Sequence, residues 1–168
     1  MTVLDCACGL NPVEGVRDAV HVDLYRTYCG RKNTADVIAD AHFLPFVDGA
    51  FTSVFSSHTL EHCVNPVQVL NEFHRVSKIL VIKVPNGVFN RGGLNEDDGH
   101  LFSWTSKTFF QLLSGVYSVV KLSCRVHWKV RGYSRVHGLG LKQLAILKTL
   151  LFVLVVGEKN ELEAVCFG

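Results

Sequence analysis

Three carboxylates, Asp5, Asp23 and Asp40, each close a short apolar run: Val3-Leu4 before the first, Ala19-Val20-His21-Val22 before the second, Val37-Ile38-Ala39 before the third. Short apolar runs bounded by turn formers read as buried parallel strands, and the carboxyl ends of such strands line one crevice in an open α/β sheet. An acid at each of three ends can accept hydrogen bonds from a single polar ligand held from three sides. Three histidines, His58, His62 and His100, fall in segments that follow later strands. Imidazole is the side chain best poised to move a proton near neutral pH.

The elements that must position these groups follow in order. A first strand over Thr2 to Cys6 runs into the turn Ala7 to Leu10. Only about ten residues separate Gly9 from the second strand, near the lower limit for a parallel crossover, and the next connection, Tyr25 to Thr34, is as brief. Phe51 to Ser56 reads as the fourth strand. Asn65-Pro66 starts a helix whose Val67, Leu70, Phe73 and Val76 form one apolar stripe. Ile79 to Val84 is a nearly continuous apolar strand and therefore central. The loop Pro85 to His100 follows it, in the place where binding loops are common. Thr105 or Ser106 caps a helix ending near Gly115, Val116 to Val126 is the sixth strand, Gly140 to Val156 a helix, and Glu161 to Phe167 the last strand. Alternating strands and helices without a linker or repeat make residues 1–168 one α/β domain.

With 48% apolar and 19% charged residues in a 168-residue chain, the sequence is that of a folded domain with a substantial core, which excludes a disordered chain. Charge is unevenly spread. Residues 1–98 hold eight Lys/Arg against twelve Asp/Glu, whereas residues 99–157 hold eight Lys/Arg and no acid. That basic stretch, centred on residues 121–142, is either a solvated face or a surface for RNA or an anionic membrane. The six cysteines form no Cys-x-x-Cys pair and read as reduced thiols of a cytoplasmic protein. Leu144 to Val156 is too short to span a bilayer, so no transmembrane segment is expected.

Val3-Leu4-Asp5-Cys6-Ala7-Cys8-Gly9 resembles the first motif of class I S-adenosylmethionine-dependent methyltransferases, V-L-D-x-G-C-G-x-G. The likeness continues in order through Val22-Asp23-Leu24, Ala39 to Phe46 (the family's A-D-A-x-x-L-P-F), Ser57-His58-Thr59-Leu60-Glu61-His62 (S-x-x-x-L-E-H), the helix after Asn65-Pro66, and Gly99 to Thr105. The nearest subgroup is the small type 11 set. It implies a Rossmann-like, doubly wound, mostly parallel sheet of about seven strands with an antiparallel last strand, here with shortened first crossovers.

It also implies S-adenosyl-L-methionine as cofactor and a set of cofactor-binding residues: Asp5, Ala7, Gly9, Asp23, Leu24, Asp40, Ala41 and Ser57. Asp23 would accept from both ribose hydroxyls, and Asp40 from the adenine amino group while the Ala41 N–H donates to the ring. Leu24, Leu44 and Phe46 would supply apolar walls, and Asp5 would anchor the turn or the ammonium end. Two family glycines are replaced, by Ala7 and Asn11, and Thr52 stands where the family usually has Asp. His58, His62 and His100 are the candidate catalytic bases, with loop hydrogen bonding or helix capping as the alternative role for His58 and His62. The spacing of His58, Glu61, His62 and Cys63 matches no metal motif, so no metal is expected. The acceptor is left open between a small molecule, a lipid and RNA. Shortened crossovers also leave open a catalytically silent, methyltransferase-like accessory subunit, or a partner protein that supplies a lid.

Overall fold

The computed structural model describes residues 2–10, 12, 18–28, 30–87, 99–126 and 160–168. Among them the chain forms β1 (Val3–Cys6), β2 (Ala19–Asp23), β3 (Thr27–Tyr28), β4 (Arg31–Lys32), β5 (Val37–Ile38), β6 (Ser53–Ser57), a 3₁₀ turn (Leu60–His62), α1 (Pro66–Val76), β7 (Ile79–Pro85), α2 (Ser106–Ser114), β8 (Val119–Val126) and β9 (Asn160–Phe167). Seven strands make one sheet in the order β5-β2-β1-β6-β7-β9-β8. β5, β2, β1, β6 and β7 are mutually parallel, and β9 runs antiparallel to β7 and β8 on either side of it. This is the Rossmann-like sheet with its antiparallel last strand.

Burial explains the strand patterns. Leu4, Asp5 and Cys6 of β1 are all buried, as befits a strand covered on both faces. β7 alternates, with Leu80, Ile82 and Val84 at or near zero exposure because successive side chains take opposite faces.

α1 starts where Asn65 Oδ1 accepts from Gln68 N at 3.2 Å, with Pro66 at its first position. Its buried stripe is Val69, Leu70, Phe73 and Val76, while Val67 is 47% exposed. The expected stripe counted in steps of three, which drift around a turn of 3.6 residues; Val69 therefore takes the place assigned to Val67. In α2, Thr105 and Thr108 cap each other reciprocally, Thr108 N donating to Thr105 Oγ1 at 3.2 Å and Thr105 N to Thr108 Oγ1 at 2.9 Å.

Elsewhere the elements depart from the expected bounds. Within the connection expected over Tyr25 to Thr34, Thr27–Tyr28 and Arg31–Lys32 form the antiparallel β3–β4 pair. β6 begins at Ser53 because Phe51 instead packs edge-on against Phe46, with ring centroids 4.9 Å apart, and donates its N–H to Val76 O. β8 begins at Val119 because Tyr117 still continues the hydrogen bonding of α2, donating to Leu113 O. The expected helix over 140–156, most of the loop over 85–100 and Arg131, Arg135 and Trp128 of the basic stretch lie outside the described residues.

One contact locks the segment after Asp40 to α1. Arg75 donates to both oxygens of Glu72, to Phe46 O, to Asp48 Oδ1 and to Leu44 O at 2.7–3.0 Å, and Glu72 Oε2 accepts from Leu44 N at 2.8 Å. The Arg75 guanidinium, then the Leu44 N–H, hold the Glu72 carboxyl below its ordinary 4.5. A lowered carboxyl contributes stability above its ordinary value, and that contribution is lost as the pH falls through the lowered one. Arg75→Met is expected to cost about 2 kcal/mol at pH 7 and markedly less near pH 3, read from urea midpoints at the two pH values. An equal loss at both would contradict the role given to Glu72.

Candidate functional site

β1 is followed in the sheet by β2 on one side and β6 on the other, so the chain reverses its direction of winding between β1 and β6. Ligands of open α/β sheets bind at such a reversal, outside the carboxyl ends of the strands. Asp5 lies in β1, Asp23 ends β2 and Asp40 comes two residues after β5, on three adjacent strands, while Ser57 ends β6 and His58 follows it. The tertiary structure therefore brings the three acids to one edge.

Each acid is held in its own way. Asp5, 2% exposed, pairs through Oδ2 with His21 Nδ1 at 3.0 Å, its register partner on β2. Asp23 accepts from Gly9 N through Oδ2 at 2.9 Å and from Tyr25 N through Oδ1 at 3.1 Å. It thus ties the turn after β1 to the end of β2. Asp40 Oδ1 accepts from His42 N at 2.9 Å and faces His42 Nδ1 at 2.7 Å. The His42 backbone N–H, outweighing partial burial, holds the Asp40 carboxyl below its ordinary 3.8, so it is ionised at neutral pH. His42 Nε2 in turn accepts from Asn65 N at 3.2 Å, linking the Asp40 loop to the start of α1.

The turn itself is strained in a useful direction. Ala7 sits at φ 61° and Gly9 at φ 55°, and the N–H groups of Ala7 and Cys8 both donate to Val22 O, at 2.8 and 3.2 Å. Among the described residues, nothing lies within 4 Å of where a Gly9 side chain would begin. Ala7 bears the cost of a left-handed residue with a Cβ, about 1 kcal/mol. Ala7→Gly relieves it, less the entropy of a glycine in the unfolded chain, and is expected to raise the melting temperature by about 1–2 °C. A fall on calorimetric melting would show that the alanine methyl packs favourably.

Of the expected apolar walls, Leu24 is 48% exposed, whereas Leu44 is 4% exposed and belongs to the core. Ala41 is half-buried beside Asp40, and Ser57 ends β6 opposite Lys83 of β7.

The histidines separate into two groups. His58, at φ 53°, places Nδ1 3.4 Å from Glu61 Oε1 and Nε2 3.2 Å from Glu161 Oε1. The Glu61 carboxylate, against partial burial, raises its pKa above the ordinary 6.5, and both ring nitrogens are turned to carboxylates. His62 and His100 lie together, ring centroids 4.7 Å apart and planes inclined at 67°, and His62 Nδ1 is 3.2 Å from Gly99 O. Glu61 is buried at 1% exposure. His21, His42 and Arg75 position the acids or their loops without having been singled out by sequence. For His42 the signal was present: a residue two after an aspartate is where an Asx turn closes.

This donor set fits S-adenosylmethionine. Asp23 and Asp40 are carboxylates with acceptor capacity beyond the bonds they make within the chain, they sit beside a glycine turn, and Leu24 presents exposed apolar surface next to Asp23.

Comparison with known proteins agrees. Residues 4–80 match a family model described as a methyltransferase domain. No curated protein sequence matches the chain. Among solved structures, a SAM-dependent methyltransferase from Archaeoglobus fulgidus is similar at 18% identity and TM-score 0.62, over 98% of this chain and 85% of that one. A SAM-dependent methyltransferase from Aquifex aeolicus is similar at 15% identity and TM-score 0.57, over 100% and 82%. A chain from the complex between the Haloferax volcanii Trm112 methyltransferase activator and a methyltransferase is similar at 14% identity and TM-score 0.60, over 99% and 81%. No helix among the described residues is long and apolar enough to cross a membrane. Residues 4–80 are thus similar to a methyltransferase domain, and the sheet is the class I fold shared with these S-adenosylmethionine-dependent methyltransferases of known structure.

Proposed function

We propose that this chain transfers a methyl group to an acceptor that approaches over the carboxyl ends of β6 and β7, with the nucleoside held over β1, β2 and β5. The observation that carries the reading is the row of Asp40, Asp23 and Asp5 on three adjacent strand ends around a glycine turn. S-adenosylmethionine supplies a methyl group on a sulfonium, already activated for displacement. The residues of the chain bind and orient. Asp23 accepts from the ribose hydroxyls, Asp40 from the adenine amino group with the Ala41 N–H facing the ring, Leu24 covers the base, and the Ala7–Gly9 backbone admits the amino-acid end near Asp5. Positioning of this kind can supply about 7–11 kcal/mol of a barrier. A proton acceptor is needed only for an acceptor protonated at working pH, and His62 and His100 suit that role better than His58, whose nitrogens face Glu61 and Glu161. The acceptor belongs to the small-molecule, lipid or RNA classes.

Calorimetric titration with S-adenosylhomocysteine tests the cofactor half; transfer of radiolabelled methyl from S-adenosylmethionine into fractionated cell extract tests the acceptor half. Absence of binding would overturn the reading as a whole.

A second reading is a chain that acts with a protein partner. Tyr25, Phe43 and Val64 are 62%, 71% and 80% exposed on loops that follow β2, β5 and β6, and one structural neighbour comes from a complex with a methyltransferase activator. Binding of S-adenosylhomocysteine without methyl transfer by the isolated chain, restored by a copurifying protein, would favour it.

A further inference from the structure

We infer that Glu61, His62 and His100 form a binding site for a divalent transition-metal ion of the zinc class. Each of the three offers one ligand atom, and those atoms all lie within 4.8 Å of one another. Donors about 2.1 Å from one ion stand about 3.4 Å apart in a tetrahedron, so modest rotation of the exposed His62 ring and the half-buried His100 ring closes the set.

The backbone already holds the two segments together. The Glu61 carbonyl accepts from both Leu101 N and Phe102 N, at 2.7 and 3.1 Å, which pins the residues flanking His100 to the 3₁₀ turn. Farther along, Gly87 N donates to Trp104 O at 2.7 Å and Phe102 stacks on Trp104. His62 is also prepared as a ligand. Its Nδ1 faces the Gly99 carbonyl at 3.2 Å, and a carbonyl can only accept. The Nδ1–H tautomer is thereby selected, leaving the Nε2 lone pair for an ion, as in many metal-bound histidines.

An independent observation comes from Glu61. Its carboxylate is buried at 1% exposure, and among the described residues neither oxygen has a hydrogen-bond partner. Burying a carboxylate without donors costs several kcal/mol, so this group calls for a cation. His58 answers only in part: its Nδ1 stands 3.4 Å from Oε1, and its Nε2 is turned to Glu161. One imidazole thus faces two carboxylates, and Glu61 Oε2 has no counterpart among the described residues.

One carboxylate oxygen and two imidazole nitrogens suit zinc, cobalt or manganese more than magnesium or calcium, which prefer all-oxygen sets. Three protein ligands leave at least one position open. The site lies after β6, on the same edge of the sheet as Asp5 and Asp23; it shares no residue with the proposed cofactor contacts, but an ion bound there takes up the lone pairs by which His62 and His100 would otherwise accept a proton. Linear spacing conceals it, because His100 comes 38 residues after His62.

Titration of the chelator-treated full chain with cobalt(II), read by visible absorption, and with zinc(II), read by calorimetry, tests the inference without any need for turnover. About one equivalent of either ion is expected to bind, without the intense near-ultraviolet band of thiolate ligation. His62→Ala and His100→Ala, both at positions with exposed surface, should each weaken binding by about 100-fold or more while leaving circular dichroism unchanged. Glu61→Gln should do the same, and Cys63→Ser should leave binding intact. Failure of the wild-type chain to bind cobalt or zinc would overturn the inference, as would binding that survives the His62→Ala/His100→Ala double substitution or is lost with Cys63→Ser. Because S-adenosylhomocysteine binding is measured separately, failure here leaves the methyl-transfer reading untouched.

Discussion

Asp23→Ala is expected to weaken S-adenosylhomocysteine binding by about 100-fold or more. A charge-assisted hydrogen bond is worth about 1.5–3 kcal/mol, and the two ribose hydroxyls would each lose such a bond, so the sum corresponds to two or more decades of affinity. The same substitution removes the acceptor for Gly9 N and Tyr25 N, loosening the turn on which the amino-acid end rests. Asp23→Asn separates the two contributions. Its amide oxygen still accepts from one backbone N–H and from one hydroxyl, so an intermediate loss is expected, about 10-fold. Calorimetry on both variants, with thermal melts to confirm folding, gives the answer; wild-type affinity in Asp23→Ala would remove the ribose role altogether.

The largest expected effect on stability is Phe73→Ala. Phe73 is fully buried near the middle of α1, in the core with Val69, Leu70 and Val76 of the same face and Leu80 and Val54 of the sheet. Phe→Ala truncations in such positions cost about 3–5 kcal/mol through lost transfer energy and the cavity left behind. Against the stability of an ordinary domain, about 5–15 kcal/mol, that is a large share. Urea unfolding should show a strongly lowered midpoint with an unchanged slope. A loss below about 1 kcal/mol would mean that the helix repacks or that α1 contributes little to the core. The contrasting variant is Val67→Ala, on the same helix but 47% exposed, for which the change should be small.

Residues whose roles depend on neighbours in sequence were legible without a fold. Asn65-Pro66 announces a helix start because an N-cap acceptor and a proline at the first position satisfy local donors; α1 begins there. Ile79 to Val84 announces a central strand because only a strand covered by other structure can bury so many apolar side chains; β7 is paired on both sides, by β6 and β9. Asp5, Asp23 and Asp40 were legible as strand ends because each follows an apolar run.

Other features arise between segments distant in the chain and leave no local trace. Leu44 looked like a pocket wall from its place after Asp40, but the Arg75–Glu72 pair grips its backbone from 28 and 31 residues away and its side chain is 4% exposed. His58 had the residue type of a base; Glu161, 103 residues onward, reaches it only because β9 inserts beside β7. His62, read alone, had no metal-ligand spacing, and only the hydrogen bonds of Leu101 and Phe102 to Glu61 O bring His100 to it.

The amino-acid sequence by itself determined where most strands and helices lie and which acids stand near strand ends, since these follow from periodicity, capping and charge within a few residues. Which histidine is paired, which leucine is buried and which carboxylate stands without a donor were decided by the tertiary structure alone. Those properties depend on what lies across the sheet, and burial and electrostatic partners have no sequence period.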